Sequence, residues 1–154
     1  MTLQLHQRKR SKKSLSNEWA TPLMLFHRLT KQYNIYPKLD VCATRQNTKC
    51  RRFFSKQKDA LNQEWKYDSW MNLPNSIAQS FIIKANKEWQ NNNINILAIM
   101  PINATVTIAG RNLIWNNKKV EIYPLLPTPR FFYNGKLSSE SARNRYCVVI
   151  WRKR

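Results

Sequence analysis

The stretch SWMNLPNS, residues 69–76, places hydrogen-bonding side chains and a proline directly after an aromatic residue and a thioether. Taken alone, it is typical of a strand that ends in a turn, with Asn75 or Ser76 capping a following helix, because Asn, Pro and Ser are common turn residues. The alternative is a pocket that holds a planar base. A turn needs no further partners, whereas a pocket needs other segments to complete it.

Glycine is scarce, because the chain contains only Gly110 and Gly135. A P-loop and a GxGxxG loop both need several closely spaced glycines, so neither can be present. ATP hydrolysis and ordinary NAD chemistry are therefore not expected. A nuclease would gather several carboxylates around a metal, and the eight acidic residues include no tight cluster such as DxD.

The cysteines Cys42, Cys50 and Cys147 are too few for a disulfide framework and odd in number, which indicates reduced thiols. They form no CxxC pair, and the only two histidines, His6 and His27, are distant from them in the sequence, so we expect no metal site. A cysteine nucleophile would need a histidine close by. The absence of a Pro-Cys pair also argues against the thiolate chemistry that methylates carbon 5 of cytosine.

The chain is strongly basic, with 27 lysines and arginines against 8 acidic residues and a formal net charge of +19. Because 42% of its 154 residues are apolar, we expect one globular domain and not a disordered polycation. Such a surface repels itself unless it faces a polyanion, and nucleic acid is the commonest one. A membrane is the weaker candidate, since no stretch of about 20 apolar residues is present.

Residues 1–16 are basic and show no apolar periodicity, which is typical of a flexible tail. A solvated tail and a tail that binds phosphates are both compatible with this composition. Because the tail lacks the apolar core of a secretion signal, we expect a cytoplasmic protein, in the host cytoplasm if it is viral. The candidate phosphate-binding side chains are Arg8, Lys9, Arg10, Lys12 and Lys13.

Strand and helix patterns alternate along residues 17–154, which we expect to form the folded domain. Thr21 and Pro22 are typical of a helix start, with the hydroxyl as the cap and the proline at the first helical position. Apolar residues at helical spacing predict helices around 25–33 and 78–89. Short apolar stretches predict strands at 37–43, 51–54, 70–72, 95–100, 120–126 and 146–151, with a short helical turn at 59–65.

This alternation predicts an α/β fold with a mostly parallel sheet between helices. In such sheets ligands bind at the carboxyl ends of the strands. The segments DVCA, residues 40–43, and MNLPN, residues 71–75, both fall at strand ends. They are therefore the candidates for a ligand site.

Seven segments of the chain occur in an order that resembles the phage-type, Dam-like N6-adenine DNA methyltransferases. Each segment alone is weakly specific, whereas seven in order are fairly specific and cover residues 17–154. The resemblance implies a Rossmann-like fold that binds S-adenosylmethionine (AdoMet), and the short chain leaves little room for a separate target-recognition domain. The segments are NEWATP (17–22), LDVCA (39–43), NTKCRRFF with DAL (47–54 and 59–61), WMNLP (70–74), LAIMPIN (97–103), FFYNGKL (131–137) and YCVVIW (146–151).

The resemblance also implies seven cofactor-binding residues: Trp19, Thr21, Pro22, Asp40, Cys42, Ala43 and Asp59. The first three would close over AdoMet, and the next three would form a strand-end cradle in which a carboxylate accepts hydrogen bonds from its ammonium. The last would lie near its adenine amine. Taken singly, Asp40 is also typical of a strand-end turn, Asp59 of a helix cap and Trp19 of the core.

By the same resemblance, Asn72, Leu73, Pro74 and Asn75 correspond to an Asn/Asp-Pro-Pro-aromatic catalytic turn. The exocyclic amine of adenine is a weak nucleophile because its lone pair is delocalised into the ring, and acceptors on both of its hydrogens draw it toward a tetrahedral shape. Asn72 offers a side-chain carbonyl. Leu73 offers a main-chain carbonyl, which Pro74 can aim into the site because it favours an extended residue before it. The implied reaction is methyl transfer from AdoMet to N6 of an adenine flipped out of double-stranded DNA.

The sequence departs from that turn at two positions, with Leu73 for the first proline and Asn75 for the stacking aromatic. Loss of one base-aromatic stack typically costs about 1–3 kcal/mol. Trp70, Phe131 or Tyr133 could supply a substitute ring. Two other functions stay open: a nucleic-acid-binding protein of the same fold that has lost catalysis, and a methyltransferase that acts on RNA or on a protein amide.

A second cationic region flanks the aromatic run 131–133, whose residues alternate like those of a strand. A cationic loop beside a catalytic turn is where a nucleic-acid strand would run, so we expect phosphate contacts there, although each side chain taken singly is also typical of a solvated surface. We expect the loop 133–146 to carry any base recognition. The side chains concerned are Arg130, Lys136, Arg143 and Arg145.

Overall fold

The computed structural model describes residues 19–154, which form a mixed α/β unit. The strands in chain order are β1 (Leu39–Asp40), β2 (Arg52–Phe53), β3 (Ser69–Asn72), β4 (Ile96–Pro101), β5 (Val120–Pro124), β6 (Phe132–Tyr133), β7 (Lys136–Leu137) and β8 (Tyr146–Trp151). The helices are α1 (Leu23–Tyr33), α2 (Ala78–Asn92), α3 (Ile102–Thr105) and α4 (Ile108–Gly110), with 3-10 turns at Ala60–Asn62 and Asn75–Ile77 and a π-helical turn at Arg111–Trp115.

Six strands form one sheet in the order β2-β1-β3-β4-β8-β5. Strand β1 pairs in parallel with β2 and β3, and β3 pairs in parallel with β4. Strand β8 is antiparallel to both β4 and β5, so β5 runs in the same direction as β4. Five strands therefore share one direction and β8 is reversed, in agreement with the mostly parallel sheet expected from the sequence. Strands β6 and β7 form a separate hairpin.

Strand β4 is buried on both faces because its apolar side chains alternate between two core clusters. Ile96, Ala98 and Met100 belong to the cluster that includes the apolar face of α2. Leu97 and Ile99 belong to the cluster that includes the apolar face of α1. The two helices thus cover opposite faces of the sheet, and their apolar faces are the ones that the helical spacing predicted.

Helix α1 starts one residue later than expected, and the predicted hydroxyl cap is absent. Pro22 occupies the N-cap position, with φ −57° and ψ 139°, and no side chain of residues 19–154 caps the helix. The prediction that Thr21 caps α1 is therefore wrong, because its hydroxyl binds a different partner in the tertiary structure. The helix ends at Tyr33, and its C-cap Asn34 has φ 52° and donates its main-chain N–H to carbonyls of the last turn.

Two of the predicted strands are much shorter in the structure. The strand expected at 37–43 consists of Leu39–Asp40, and the one expected at 51–54 consists of Arg52–Phe53. The chain leaves β1 after Asp40 because the carboxylate of this residue binds the main chain of the following loop. Because β1 ends at Asp40, the residues after it form a loop, and part of this loop lines a cavity.

Candidate active site

A cavity of about 740 Å³ lies at the edge of the sheet where β1, β2 and β3 end. Sites for ligands of cofactor size usually measure about 300–1,000 Å³. The wall consists mainly of residues 41–44, 54–56, 72–77 and 140–144. This is the carboxyl edge at which open α/β sheets bind their ligands. The segments DVCA and MNLPN both contribute to it, as the sequence predicted.

Asn72 is the last residue of β3 and is half-buried in the cavity wall. Its Nδ2 donates a hydrogen bond of 3.1 Å to Thr21 Oγ1, which orients the amide. None of the residues 19–154 donates a hydrogen bond to Asn72 Oδ1. The side-chain carbonyl is therefore an oriented acceptor that a ligand in the cavity can use.

The turn after β3 follows the conformation that proline imposes. Leu73 is 4% exposed, so its side chain is anchored in the core at the cavity wall. Pro74 has φ −67° and ψ 125°, and its carbonyl accepts the N–H of Ile77 at 3.2 Å. Ile77 is the N-cap of α2, which has no side-chain cap. The predicted cap at Asn75 or Ser76 is therefore wrong, and both side chains are exposed at the cavity instead.

Asp40 ends β1 and is 3% exposed. Its Oδ1 accepts the N–H of Cys42 at 3.3 Å, and its Oδ2 accepts the N–H of Lys49 at 2.9 Å. Burial raises the pKa of this carboxyl to about 6, against the opposing effect of the two N–H donors and the Lys49 ammonium. Asp40 lies behind the cavity wall, whereas the loop 41–49 that it holds forms part of that wall. Through these two hydrogen bonds Asp40 holds the loop 41–49 in place, and we call it the brace of this loop.

Four of the seven residues predicted to bind the cofactor line the cavity, namely Trp19, Cys42, Ala43 and Asp59. The other three do not. Thr21 is 4% exposed and holds Asn72, Pro22 starts α1, and Asp40 holds the loop. Thr21 and Asp40 affect the cavity wall through the groups that they bind, namely the Asn72 amide and the loop 41–49.

Asp59 caps the 3-10 turn that follows it and also lines the cavity. It has φ 50°, and its carboxylate accepts the N–H of Leu61 at 3.2 Å and Nδ2 of Asn62 at 2.7 Å. The interpretation of Asp59 as a helix cap is thus confirmed for the 3-10 turn Ala60–Asn62. A carboxylate can accept about four hydrogen bonds, so the cap leaves capacity for a ligand in the cavity.

Two of the three candidate substitute rings lie away from the cavity wall. Trp70 is 1% exposed and packs edge-on against Phe26, with 5.1 Å between ring centroids. Tyr133 packs against Trp19 at 4.8 Å and is not part of the wall. Only Phe131, of the three, lines the cavity.

A fourth ring, Tyr146, also lines the cavity and packs against Phe131 with 5.0 Å between ring centroids. It is half-buried at the first position of β8. Burial raises the pKa of its phenol, and the Asn75 side chain lies close enough to oppose that shift. The apolar pattern of 146–151 identified the strand, but only the reversed direction of β8 brings its first residue to the carboxyl edge.

The four predicted phosphate-binding residues of the 130–145 region occupy different positions. Arg143 lines the cavity, and Lys136 is exposed on the β6–β7 hairpin. Arg130 Nε donates to the Ser138 carbonyl at 2.6 Å, so this side chain also supports its own loop. Arg145 donates from one guanidinium nitrogen to Thr128 Oγ1 at 3.1 Å.

Lys56 is a cationic residue of the wall that no sequence motif indicated. It follows β2 at the same edge as the other strand ends, and its neighbours in the sequence carry no distinguishing motif. The predicted tail contacts Arg8, Lys9, Arg10, Lys12 and Lys13 lie outside the residues that the structure describes.

The three cysteines are free. Burial raises the pKa of Cys50 and Cys147 to about 12, and burial together with Asp40 raises that of Cys42 well above its usual value. All three thiols are therefore protonated at neutral pH and are poor nucleophiles. Within residues 19–154 no group of His, Cys, Asp and Glu side chains is arranged to hold a metal ion. The helices of this same region are too short or too polar to cross a membrane.

The fold and the site define an α/β protein with a ligand cavity at the carboxyl edge of its sheet. The sequence model of the DNA N-6-adenine-methyltransferase (Dam) family matches residues 8–121. The chain therefore belongs to the Dam family, which confirms the family that the ordered segments resembled; five of the seven segments lie within the matched range.

Two phage proteins named DNA N-6-adenine-methyltransferase are similar to the chain. The protein of Haemophilus phage HP1 is 30% identical over 137 residues, which cover 87% of this chain and 76% of the phage protein. The protein of Escherichia phage T1 is 30% identical over 104 residues, which cover 63% of this chain and 43% of the phage protein.

Proposed function

We propose that this protein transfers a methyl group from AdoMet to the N6 atom of an adenine that has been turned out of double-stranded DNA. The observation that carries the proposal is the oriented Asn72 carbonyl in the cavity wall. Family membership and the names of the two phage relatives support DNA adenine as the acceptor. The mixed sheet with its cavity at the carboxyl edge supports a Rossmann-like, AdoMet-binding fold.

The cavity fits AdoMet in volume and in chemistry. The small side chains of Cys42 and Ala43 leave space beside the end of β1, and the wall contains the carboxylates of Asp59 and Glu140. We propose that Cys42 and Ala43 contact the amino acid part of the cofactor, that Asp59 accepts from its adenine amine, and that Trp19 covers it. AdoMet supplies a methyl group that is already activated by its sulfonium, so the site needs no strong general base.

Asn72 and Leu73 are proposed to prepare the amine for attack. The side-chain carbonyl of Asn72 and the main-chain carbonyl of Leu73 each accept one N–H of the exocyclic amine, which pulls its lone pair out of conjugation with the ring. Acceptors that are positioned before charge develops stabilise the positive charge that the nitrogen gains with the methyl group. The nitrogen gains the methyl carbon as the bond between that carbon and the sulfonium sulfur breaks, which leaves a neutral thioether. The nitrogen then releases one proton to solvent.

Base extrusion costs a few kcal/mol, and cationic side chains offset part of that cost by binding phosphates. Arg143 and Lys56 lie in the cavity wall, where they can contact the phosphates on either side of the extruded nucleotide. Arg130, Lys136 and Arg145 occupy the adjoining segment and are proposed to track the flanking backbone.

The proposal is tested by calorimetric AdoMet binding and by tritium transfer from AdoMet to adenine-containing duplexes. Asn72→Ala is expected to abolish transfer while AdoMet affinity stays nearly unchanged, because the carbonyl acts on the acceptor amine. The matched control is Asn91→Ala, an exposed position near the end of α2 that is farthest from the catalytic turn, and it should behave as wild type. Full activity of the Asn72→Ala variant would remove this residue from the mechanism.

The variant Asp40→Ala distinguishes an effect on cofactor binding from an effect on the acceptor. Loss of the brace frees the loop 41–49, so AdoMet affinity is expected to fall before any effect on the acceptor appears. An Asp40→Ala variant that binds AdoMet normally but transfers no methyl would contradict this role.

A second candidate function is DNA binding without catalysis, and the exposed Asn75 in the catalytic turn favours it. It predicts DNA binding by the wild-type protein with neither AdoMet binding nor transfer. Tritium transfer to RNA with none to DNA would instead identify an RNA methyltransferase.

A further inference from the structure

The proposed function requires a surface that holds the plane of the extruded adenine. A base outside the stack usually lies between aromatic or apolar side chains, and the catalytic turn itself offers Asn75 and no ring. We propose that Tyr146 is the ring on which the adenine stacks, supplied by the reversed strand β8 and backed by Phe131. This inference rests on the proposed function.

Sheet topology places Tyr146 near the part of the cavity that contains Asn72, whose carbonyl is proposed to bind the adenine amine. Asn72 is paired with Ile99 of β4, and Tyr146 is paired with Pro101 at the end of β4. Asn72 and Tyr146 thus lie on either side of β4, two strand spacings apart across the sheet and two residues apart along it, so their Cα atoms are roughly 12 Å apart. That separation leaves room for a base between the amide carbonyl and the phenol ring.

The backbone on both sides of Tyr146 is held in place. The Leu125 N–H donates to the Tyr146 carbonyl at 3.0 Å, and the Ile102 N–H donates to the Arg145 carbonyl at 2.9 Å. The ring itself packs against Phe131, which is 5% exposed. A ring fixed in this way loses little conformational freedom when a base binds, so most of the stacking energy is retained.

The other aromatic residues of the wall are less suited to this task. Phe54 belongs to the cofactor side, because its carbonyl accepts the N–H of Ala43 at 3.1 Å. Phe81 is 5% exposed and belongs to the buried, core-facing side of α2. Trp19 packs against Tyr133 of the hairpin. Tyr146 is half-buried, lines the same cavity as Asn75 and lies at the end of the sheet beside β4.

The test compares Tyr146→Phe, which keeps the ring, with Tyr146→Leu, which removes the ring and keeps an apolar side chain. Removing one base-aromatic stack is expected to lower kcat/KM for duplex DNA by about 5- to 150-fold in Tyr146→Leu, whereas Tyr146→Phe stays close to wild type. AdoMet affinity should be unchanged in both variants. Tyr36→Leu, at an exposed position outside the cavity wall, is the matched control and should keep full activity.

A second readout does not depend on turnover. The fluorescent analogue 2-aminopurine replaces the adenine that the wild-type protein methylates, and its emission is quenched when it stacks on a ring. At equal occupancy, the 2-aminopurine emission of the wild-type and Tyr146→Phe complexes should be lower than that of the Tyr146→Leu complex. Thermal melting checks that every variant is folded.

The outcomes separate the two proposals. If the wild type transfers methyl groups to DNA and Tyr146→Leu matches it in kcat/KM and in emission, the stacking role is overturned while the proposed function stands. Equal loss in Tyr146→Phe and Tyr146→Leu would also overturn it, because the hydroxyl would then be the important group. If the wild type transfers nothing to DNA adenine, the proposed function fails and the stacking role fails with it.

Discussion

The hydrogen bond between Asn72 and Thr21 connects two residues that are 51 positions apart in the chain. An asparagine amide has a donor end and an acceptor end, and only the acceptor end can receive an N–H from an adenine amine. Because Thr21 Oγ1 takes the Nδ2 donor, the carbonyl is left to face the cavity. Thr21 is therefore a positioning residue in the proposed mechanism, although it does not line the cavity.

Thr21→Val is expected to lower kcat by about 2- to 12-fold, because the net free energy of one hydrogen bond is about 0.5–1.5 kcal/mol. Valine keeps the shape of the threonine side chain but lacks the hydroxyl that orients Asn72. Thr21→Ser, which keeps the hydroxyl, should restore most of the rate. Steady-state methylation together with calorimetric AdoMet binding checks this, and a loss that Thr21→Ser shares equally would point to packing instead.

Asp40 makes stability depend on pH, because burial raises its pKa from an ordinary value of 3.8 to about 6. Between these values the folded protein holds a proton that the unfolded chain has released, so this group lowers the free energy of unfolding as pH rises from about 4 to 6. The difference amounts to about 3 kcal/mol across the window. Urea unfolding of the wild type and of Asp40→Asn at several pH values measures it, since the variant lacks the titrating carboxyl. Parallel pH profiles would contradict the assignment.

The segment between β4 and β5 is the element that the sequence patterns did not predict. It consists of α3, α4 and the π-helical turn, and its tight path depends on Gly110. A Cβ at Gly110 would lie 2.3 Å from the Thr105 carbonyl oxygen and 2.6 Å from that of Ala104, and both are main-chain atoms. Short helices of this kind show little periodicity, so their packing against α2 was not visible in the sequence.

Gly110→Ala is expected to lower the free energy of unfolding by about 1–3 kcal/mol, because main-chain atoms have to move to admit the methyl group. Gly135→Ala is the matched comparison. Gly135 has φ +74°, follows Asn134 at φ 48° in the β6–β7 turn, and has open space around its Cβ position. The backbone strain of alanine at this position, about 1 kcal/mol, should stay within the exposed hairpin. Urea unfolding of both variants checks the difference, and a Gly110→Ala protein as stable as wild type would contradict it.

The hairpin and the first described residues form one structural unit at the cavity. Ala20 and Phe132 exchange main-chain hydrogen bonds of 2.8 and 2.9 Å, and Trp19 packs against Tyr133. The Asn134–Gly135 turn has positive φ at both central positions, as two-residue hairpin turns of this type require. The aromatic-glycine-lysine motif thus has a structural explanation, and it places Lys136 at an exposed position on the hairpin.

At the scale of the whole molecule, the net charge of +19 predicts DNA binding that weakens steeply with salt. Three phosphate contacts would reduce affinity roughly 40-fold between 50 and 200 mM salt, and each further contact steepens the slope of log K against log salt by about 0.9. A flat response would show that the charge serves another purpose.

Lys136→Gln is expected to reduce that salt slope by about 1 and to weaken binding equally for different DNA sequences. Lys118→Gln is the matched control, because Lys118 precedes β5 at the opposite edge of the sheet from the cavity. Fluorescence anisotropy at several salt concentrations measures both slopes. An unchanged slope for Lys136→Gln would remove this residue from the DNA contacts.

The sequence by itself determined the α/β class, the two long helices and the strand ends that meet at the cavity, because apolar periodicity and turn residues are local properties of the chain. The ordered motifs also identified the family, and they are the basis on which residues 72–75 are proposed as the catalytic turn. Tertiary structure alone decided that Thr21 orients Asn72 and does not cap α1, that Asp40 braces a loop behind the wall, and that Tyr146 reaches the cavity. The physical reason is that the Thr21–Asn72 contact and the position of Tyr146 depend on segments distant in the chain. Asp40 binds N–H groups only two and nine positions away, but strand pairing buries it behind the wall. Strand order and the reversal of β8 set which of those segments become neighbours.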